Sequence, residues 1–218
     1  IYIKEKINIL MKTNNPKIYL ITPPKINENT FISELNQVLD SAIVGCLQVR
    51  LKNENDFKII KLCNEIKPIC DQYNIPLILN DRLDLVESCN VDGVHLGEKD
   101  KSIKWARKVL GPNYIIGASC YNSKHLAMEA AEDGADYVAF GAFFESKTKI
   151  PKARADVSLV EEWNLISNVP CVAIGGITAM NCKTLIKAGI DQLAVINSIW
   201  NNSCSPEQAI LEFKKILN

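Results

Sequence analysis

The sequence predicts an α/β fold: a single parallel (β/α)8 barrel, eight strands closed into a cylinder and ringed by helices. Two observations predict it. Eight short apolar runs alternate with helical patterns along the chain, the order that builds a parallel sheet with both faces covered. One unit also recurs, in which a helical pattern ends at Asn or Gly, an Asp follows two residues later, and an apolar run comes next. The copies are Asn90-Val91-Asp92-Gly93-Val94, Gly134-Ala135-Asp136-Tyr137-Val138 and Gly189-Ile190-Asp191-Gln192-Leu193. Asn and Gly tolerate the left-handed conformation that ends many helices, so each copy reads as helix, cap, tight turn and buried strand. An open doubly wound sheet is the alternative, but it places a Gly-rich phosphate loop after its first strand, where this chain has Pro23-Pro24. The TIM-barrel arrangement fits better.

No Pro/Gly/Ser-rich linker or low-complexity tract divides the 218 residues, so residues 16–218 are expected to form one barrel domain. Residues 1–15 read as an N-terminal extension, with Met11 a possible natural start. Lys and Arg number 25 against 25 Asp and Glu, so the basic excess typical of a nucleic-acid partner is absent. The eight cysteines are scattered without a Cys-x-x-Cys pair, which points to reduced thiols and a cytoplasmic protein. No apolar run approaches the roughly 20 residues of a membrane span. Small-molecule substrates are the expected partners, and a homo-oligomer stays open.

The strands are expected near residues 18–22, 45–49, 76–80, 93–96, 114–118, 137–141, 172–174 and 193–196. Barrel chemistry gathers at the carboxyl ends of the strands, and there the polar residues collect. After the second strand, alternation sends Gln48, Arg50 and Lys52 to one side, a set suited to a diphosphate; a solvated strand end is the alternative. The third strand ends in Asn80-Asp81-Arg82, where Asp81 could bind a metal, pair with Arg82 or cap the next helix. After the fourth comes His95-Leu96-Gly97-Glu98-Lys99-Asp100. Asp100 alone would be the N-cap of a helix starting near Ile103, but with Asp81 it offers the second carboxylate of a Mg²⁺ site completed by a polyphosphate. His95 reads as a packed, hydrogen-bonded core residue rather than a base. Ser119 follows the fifth strand beside Gly117. The sixth is followed by a long loop rich in hydroxyls and cations, Ser146-Lys147-Thr148-Lys149, which reads as an anion-gripping lid. Gly175-Gly176 ends the seventh strand, and Ile196-Asn197-Ser198 follows the eighth, where barrels commonly bind a phosphate on backbone amides.

The segments Gln48-Val49-Arg50-Leu51-Lys52, Asn80-Asp81-Arg82-Leu83-Asp84-Leu85, Asp92-Gly93-Val94-His95-Leu96-Gly97, Ser146-Lys147-Thr148-Lys149 and Ala173-Ile174-Gly175-Gly176-Ile177 together resemble the thiamine-phosphate synthase family. The resemblance runs in order from about Lys17 to Ile199. It implies a transferase of thiamine biosynthesis that joins 4-amino-2-methyl-5-hydroxymethylpyrimidine diphosphate to a thiazole phosphate, carboxylated or not, and releases pyrophosphate. By position, Gln48, Arg50, Lys52, Asn80, Ser119 and Lys149 would hold the pyrimidine diphosphate, with Arg50, Lys52, Ser119 and Lys149 taking part in catalysis. Asp81 and Asp100 would carry one Mg²⁺ per active site. Ser146, Lys147, Thr148, Gly176, Ile196 and Asn197 would hold the thiazole phosphate, the last three partly through backbone.

The chain departs from the family pattern at Leu51, Glu98, Tyr121, Ser146 and Asn197. Glu98 stands where Gln is frequent, and Tyr121 where His is common. A related thiazole tautomerase depends on a His at the Tyr121 position and need not keep the metal-binding acids, so Asp81, Asp100, Lys52 and Lys149 favour the synthase. A non-catalytic sensor of thiamine intermediates is the alternative of another class. A sugar-phosphate isomerase would need an acid/base pair, for which His95 with Asp81 is the only candidate.

Overall fold

The structure, a computed structural model, describes residues 15–145 and 152–217. The expected extension, residues 1–15, lies almost wholly outside them, as do Ser146, Lys147, Thr148 and Lys149. Eight parallel strands close into a barrel in sequence order: β1 (Lys17–Ile21), β2 (Val44–Val49), β3 (Leu77–Asn80), β4 (Gly93–Leu96), β5 (Ile115–Tyr121), β6 (Tyr137–Gly141), β7 (Cys171–Ile174) and β8 (Gln192–Val195). Pairing of β1 with both β2 and β8 closes the ring. The open-sheet alternative is thereby excluded.

The helices are α1 (Phe31–Leu39), α2 (Asp56–Gln72), α3 (Ile103–Leu110), α4 (Lys124–Glu132), α5 (Ser158–Ile166), α6 (Lys183–Lys187), α7 (Asn197–Trp200) and α8 (Pro206–Leu217). A 3-10 turn, Leu83–Leu85, stands in place of a helix between β3 and β4. No helix among the described residues is long and apolar enough to cross a membrane. All eight cysteines are free and seven are buried, packing as small apolar groups.

Because strand side chains alternate, the strands feed two cores, with β4 contributing to the outer one alone. Outward residues such as Ile18, Leu20, Leu47, Val94, Val138 and Leu193 pack against the helices in one large cluster. Inward residues Tyr19, Ile21, Cys46, Ile78, Ile115, Tyr137, Ala139, Val172 and Ala194 fill the barrel. The Tyr137 ring fits inside because its neighbour is glycine: a Cβ on Gly117 would lie 2.0 Å from the ring carbon Cζ.

The recurring Asp has a structural task. Asp92, Asp136 and Asp191 each precede an even-numbered strand and accept the backbone N–H near the start of the odd-numbered strand before it. The donors are Leu77 at 2.8 Å, Ile116 at 2.7 Å and Cys171 at 2.8 Å. The residue two before each Asp has positive φ: Asn90 at 49°, Gly134 at 98° and Gly189 at 84°. Each carboxylate thus satisfies a strand-end amide at the face opposite the one expected to carry chemistry.

Two local expectations are corrected. Strand β5 runs on through Ser119 to Tyr121, with Cys120 an extra residue against β6, so Ser119 lies within the strand. And α3 is capped by Ser102, which accepts from the Trp105 N–H. Asp100 instead accepts from the Gly97 N–H at 2.7 Å.

Candidate active site

At the carboxyl ends of the strands a cavity of ≈ 690 Å³ opens, within the range of small-molecule sites. Of the site residues expected from sequence, Gln48, Arg50, Lys52, Asn80, Asp81, Asp100, Ser119, Gly176, Ile196 and Asn197 all line it. Ser146, Lys147, Thr148 and Lys149 lie outside the described residues.

The cationic and acidic groups meet on one side. Arg50 and Lys52 leave β2 on the same face; the Arg50 N–H donates to Thr22 Oγ1 at 2.9 Å, which ties this segment to the end of β1. Partial burial lowers the Arg50 guanidinium from its ordinary value, and Asp81 opposes that shift; the group stays cationic. Lys52 Nζ lies 3.7 Å from Asp81 Oδ2. Asp81 is held at φ 65°, a conformation Asp tolerates better than most residues, and its N–H donates to the His95 carbonyl at 2.9 Å. Arg82 turns away: it pairs with Asp84 at 2.5 Å and Asp56 at 2.7 Å. The expected alternative of an Asp81–Arg82 pair is not what forms.

Asp81 and Asp100 come from neighbouring strands and face each other. Burial raises the Asp100 carboxyl above its ordinary value, the Gly97 N–H opposes this, and the Asp81 carboxylate raises it further. Two acids that repel each other beside a cavity form the kind of donor set a hard divalent cation relieves. Among the described residues no cluster of three or more His, Cys, Asp or Glu could hold a metal ion, so a cation here would take its remaining ligands from water or a bound anion.

The opposite side of the cavity is lined by Gly175, Gly176, Ile196 and Asn197. Gly176 has φ 64°, and a Cβ there would meet the Glu145 carbonyl at 2.1 Å, so the loop closes only around glycine. Asn181 braces it, donating to the Gly176 carbonyl at 3.0 Å and accepting the Thr178 N–H at 2.8 Å. The Asn197 carboxamide oxygen accepts from Asn201 Nδ2 at 2.9 Å, and its backbone carbonyl accepts the Asn201 N–H at 3.0 Å.

Lys152, Tyr19 and Tyr137 also line the cavity and escaped the sequence reading. Lys152 pairs with Glu98 at 2.7 Å and lies 4.9 Å from the centre of the Tyr121 ring. Tyr121 has φ 54°. At the floor, Tyr19, Tyr137 and His95 form a buried polar chain that ends on Ser119. Both His95 ring nitrogens are engaged there, Nδ1 with Tyr137 at 2.9 Å and Nε2 with Ser119 at 2.8 Å. Burial pushes its imidazolium down to about 4, with the Asp100 charge opposing. His95 is thus the packed, hydrogen-bonded residue expected, and the isomerase reading loses its base.

Comparison with known proteins decides the family. The sequence pattern of thiamine monophosphate synthase matches residues 18–199. The chain belongs to the thiamine monophosphate synthase family. A thiamine-phosphate synthase of Rhodospirillum centenum is 42% identical over 201 residues, 92% of this chain and 97% of that protein. Another, from Pelagibacter ubique, is 41% identical over 204 residues, covering 93% and 98%. Among solved structures, thiamine phosphate pyrophosphorylase from Pyrococcus furiosus matches with a TM-score of 0.81 at 29% identity, over 94% of this chain and 96% of that one. Orotidine 5'-phosphate decarboxylase from Pyrococcus horikoshii reaches 0.64 at 14% identity, over 91% and 98%, and shares the barrel alone. The matched residues 18–199 take in both sides of the cavity.

Proposed function

We propose that this chain is a thiamine-phosphate synthase, a transferase that joins a hydroxymethylpyrimidine diphosphate to a thiazole phosphate and releases pyrophosphate. The observation that carries the reading is the meeting of Arg50, Lys52, Asp81 and Asp100 on one side of a single cavity whose other side is lined by Gly176, Ile196 and Asn197. One side suits a metal-bound diphosphate and the other a monophosphate.

In this reading Gln48, Arg50, Lys52, Asn80 and Ser119 hold the pyrimidine diphosphate, joined by Lys149. Gly176, Ile196 and Asn197 hold the thiazole phosphate with Ser146, Lys147 and Thr148. Asp81 and Asp100 would hold one Mg²⁺, which would supply positive charge to a bound diphosphate. Arg50 and Lys52 stabilise the negative charge that grows as the C–O bond breaks. The aminopyrimidine donates electron density to its CH₂ group, so the bond breaks early, and the thiazole nitrogen attacks a carbon held beside it. No protein nucleophile is called for; the Ser119–His95 contact among the described residues belongs to a His95 that is buried with both ring nitrogens engaged.

The test is pyrophosphate release by the purified protein with both substrates, with and without Mg²⁺. Release that needs both substrates and the metal, and yields thiamine phosphate, is the expected result. Tight binding without release would make the chain a sensor instead. Asp81→Ala and Lys149→Ala are expected to lower turnover at least 100-fold, the scale of losing a charged transition-state contact, while melting within a few degrees of wild type. Wild-type rates in either would defeat the mechanism.

A further inference from the structure

Five side chains cross the barrel interior in one unbroken line of four hydrogen bonds. Gln48 Nε2 donates to Tyr19 Oη at 3.0 Å. The Tyr19 and Tyr137 hydroxyls are 2.7 Å apart. Tyr137 Oη lies 2.9 Å from His95 Nδ1, and His95 Nε2 lies 2.8 Å from Ser119 Oγ. All except Ser119 are buried, with exposures of 3% for Gln48, 2% for Tyr19, 0% for Tyr137 and 9% for His95. Ser119 lies at the cavity end of the line.

We propose that this line runs in one direction only and fixes the Ser119 hydroxyl as a hydrogen-bond donor into the cavity. Each hydroxyl has one proton to give. Tyr19 receives from Gln48, so its own proton goes to Tyr137. Cys46 also touches Tyr19, but a thiol is a weak acceptor and loses to a phenol oxygen. Tyr137 has then accepted once, and its proton goes to His95 Nδ1. Burial holds both phenols far above their ordinary range, so neither gives its proton up. A neutral imidazole that accepts at Nδ1 carries its proton on Nε2, and that N–H points at Ser119 Oγ. The Ser119 proton is left with no acceptor on this line and faces the cavity, where an anionic oxygen of substrate would take it. His95, Tyr137 and Tyr19 are accordingly positioning residues that act through Ser119 from the floor of the cavity. The proposal deepens the synthase reading and rests on it only for what Ser119 meets.

The direction can be read without turnover. The chain has two histidines, and His125 is exposed, so His125→Gln leaves a single imidazole to observe by ¹⁵N NMR. The expected spectrum at pH 7 shows Nε2 protonated and Nδ1 bare. In Gln48→Glu, read at a pH high enough to ionise the new buried carboxyl, the end of the line can only accept, every bond reverses, and the proton is expected on Nδ1. Protonated Nδ1 in the parent, or an unchanged tautomer in Gln48→Glu, overturns the proposal.

Kinetics supply the second arm. Tyr137→Phe is expected to lower kcat roughly tenfold, the scale of one hydrogen bond, with KM for the thiazole phosphate unchanged. In a Ser119→Ala background the same change is expected to have no further effect, because the two act in series. Additive losses would assign Tyr137 a purely structural role and overturn the relay. Should Tyr137→Phe fail to fold, Tyr19→Phe breaks the same line one bond earlier and carries the same two expectations. A chain with the stated tautomer but no synthase activity would overturn the synthase reading and leave the relay standing.

Discussion

Glu98, Tyr121 and Lys152 show how single residues shape the mouth of this site. Lys152 is held by Glu98 at 2.7 Å above the Tyr121 ring, and the Glu98 carboxyl is kept below its ordinary value chiefly by its hydrogen bond from Lys152. Both groups are exposed, so the pair contributes little to stability; its effect is on where a cation stands. Glu98→Gln is expected to release the Lys152 ammonium toward an anionic substrate and to lower KM for the pyrimidine diphosphate about twofold to fivefold at low salt. The gain should vanish at high ionic strength, because the attraction is screened; steady-state kinetics at two salt concentrations check both parts. Residues that leave a strand end in regular alternation, such as Gln48, Arg50 and Lys52, were legible from spacing alone. Lys152 was not, because it sits on an irregular loop where no period says which way a side chain points. Nor was the line from Tyr19 to Tyr137, whose hydroxyls meet across 118 residues of sequence.

Among the elements, the recurring aspartates carry the regularity of the barrel. The first strand pair lacks one: Ala42 has φ 62°, but Val44 follows it where the Asp would stand, and the Ile18 N–H is taken by the Ile43 carbonyl at 2.9 Å. That absence explains why the repeat was visible only in the later part of the chain. Asp191→Ala leaves the buried Cys171 N–H without its acceptor, at an expected cost of about 1–3 kcal/mol. Asp191→Asn keeps an acceptor oxygen and is expected to recover most of it; urea denaturation of the two variants checks the order. Element by element, the strands were readable to within a residue or so because each is an apolar run bounded by turn residues. Strand β5 was cut short because a bulge at Cys120 carries it past the apolar run. The start of α3 was placed correctly; Asp100 as its cap was the alternative to a metal role, and sequence cannot show that this carboxylate takes the Gly97 N–H while Ser102 caps the helix.

Across the whole molecule the two faces of the barrel have separate tasks, and the separation predicts how variants divide. Asp191 and Asp136 hold strand starts at one end, while Lys52, Asp81 and Asp100 line the cavity at the other. Variants of the first kind are expected to lower Tm with KM and kcat unchanged below the transition, and variants of the second kind to lower turnover with Tm kept. The metal pair goes one step further. Asp81 is held in a left-handed conformation and faces Asp100, whose carboxyl is raised partly by that neighbour, so without a cation the two destabilise the fold. Asp100→Asn removes the repulsion. After allowance for solvent screening, it is expected to stabilise the metal-free protein by roughly 0.5 kcal/mol, or about 1–2 °C in Tm. In the parent protein Mg²⁺ together with pyrophosphate should raise Tm by mass action, and the variant should lose most of that rise along with its activity. Thermal melts in EDTA and in saturating Mg²⁺ pyrophosphate measure both. A variant that melts lower in EDTA yet keeps the full ligand-induced rise would place the cation elsewhere, and the two acids would then be a structural pair.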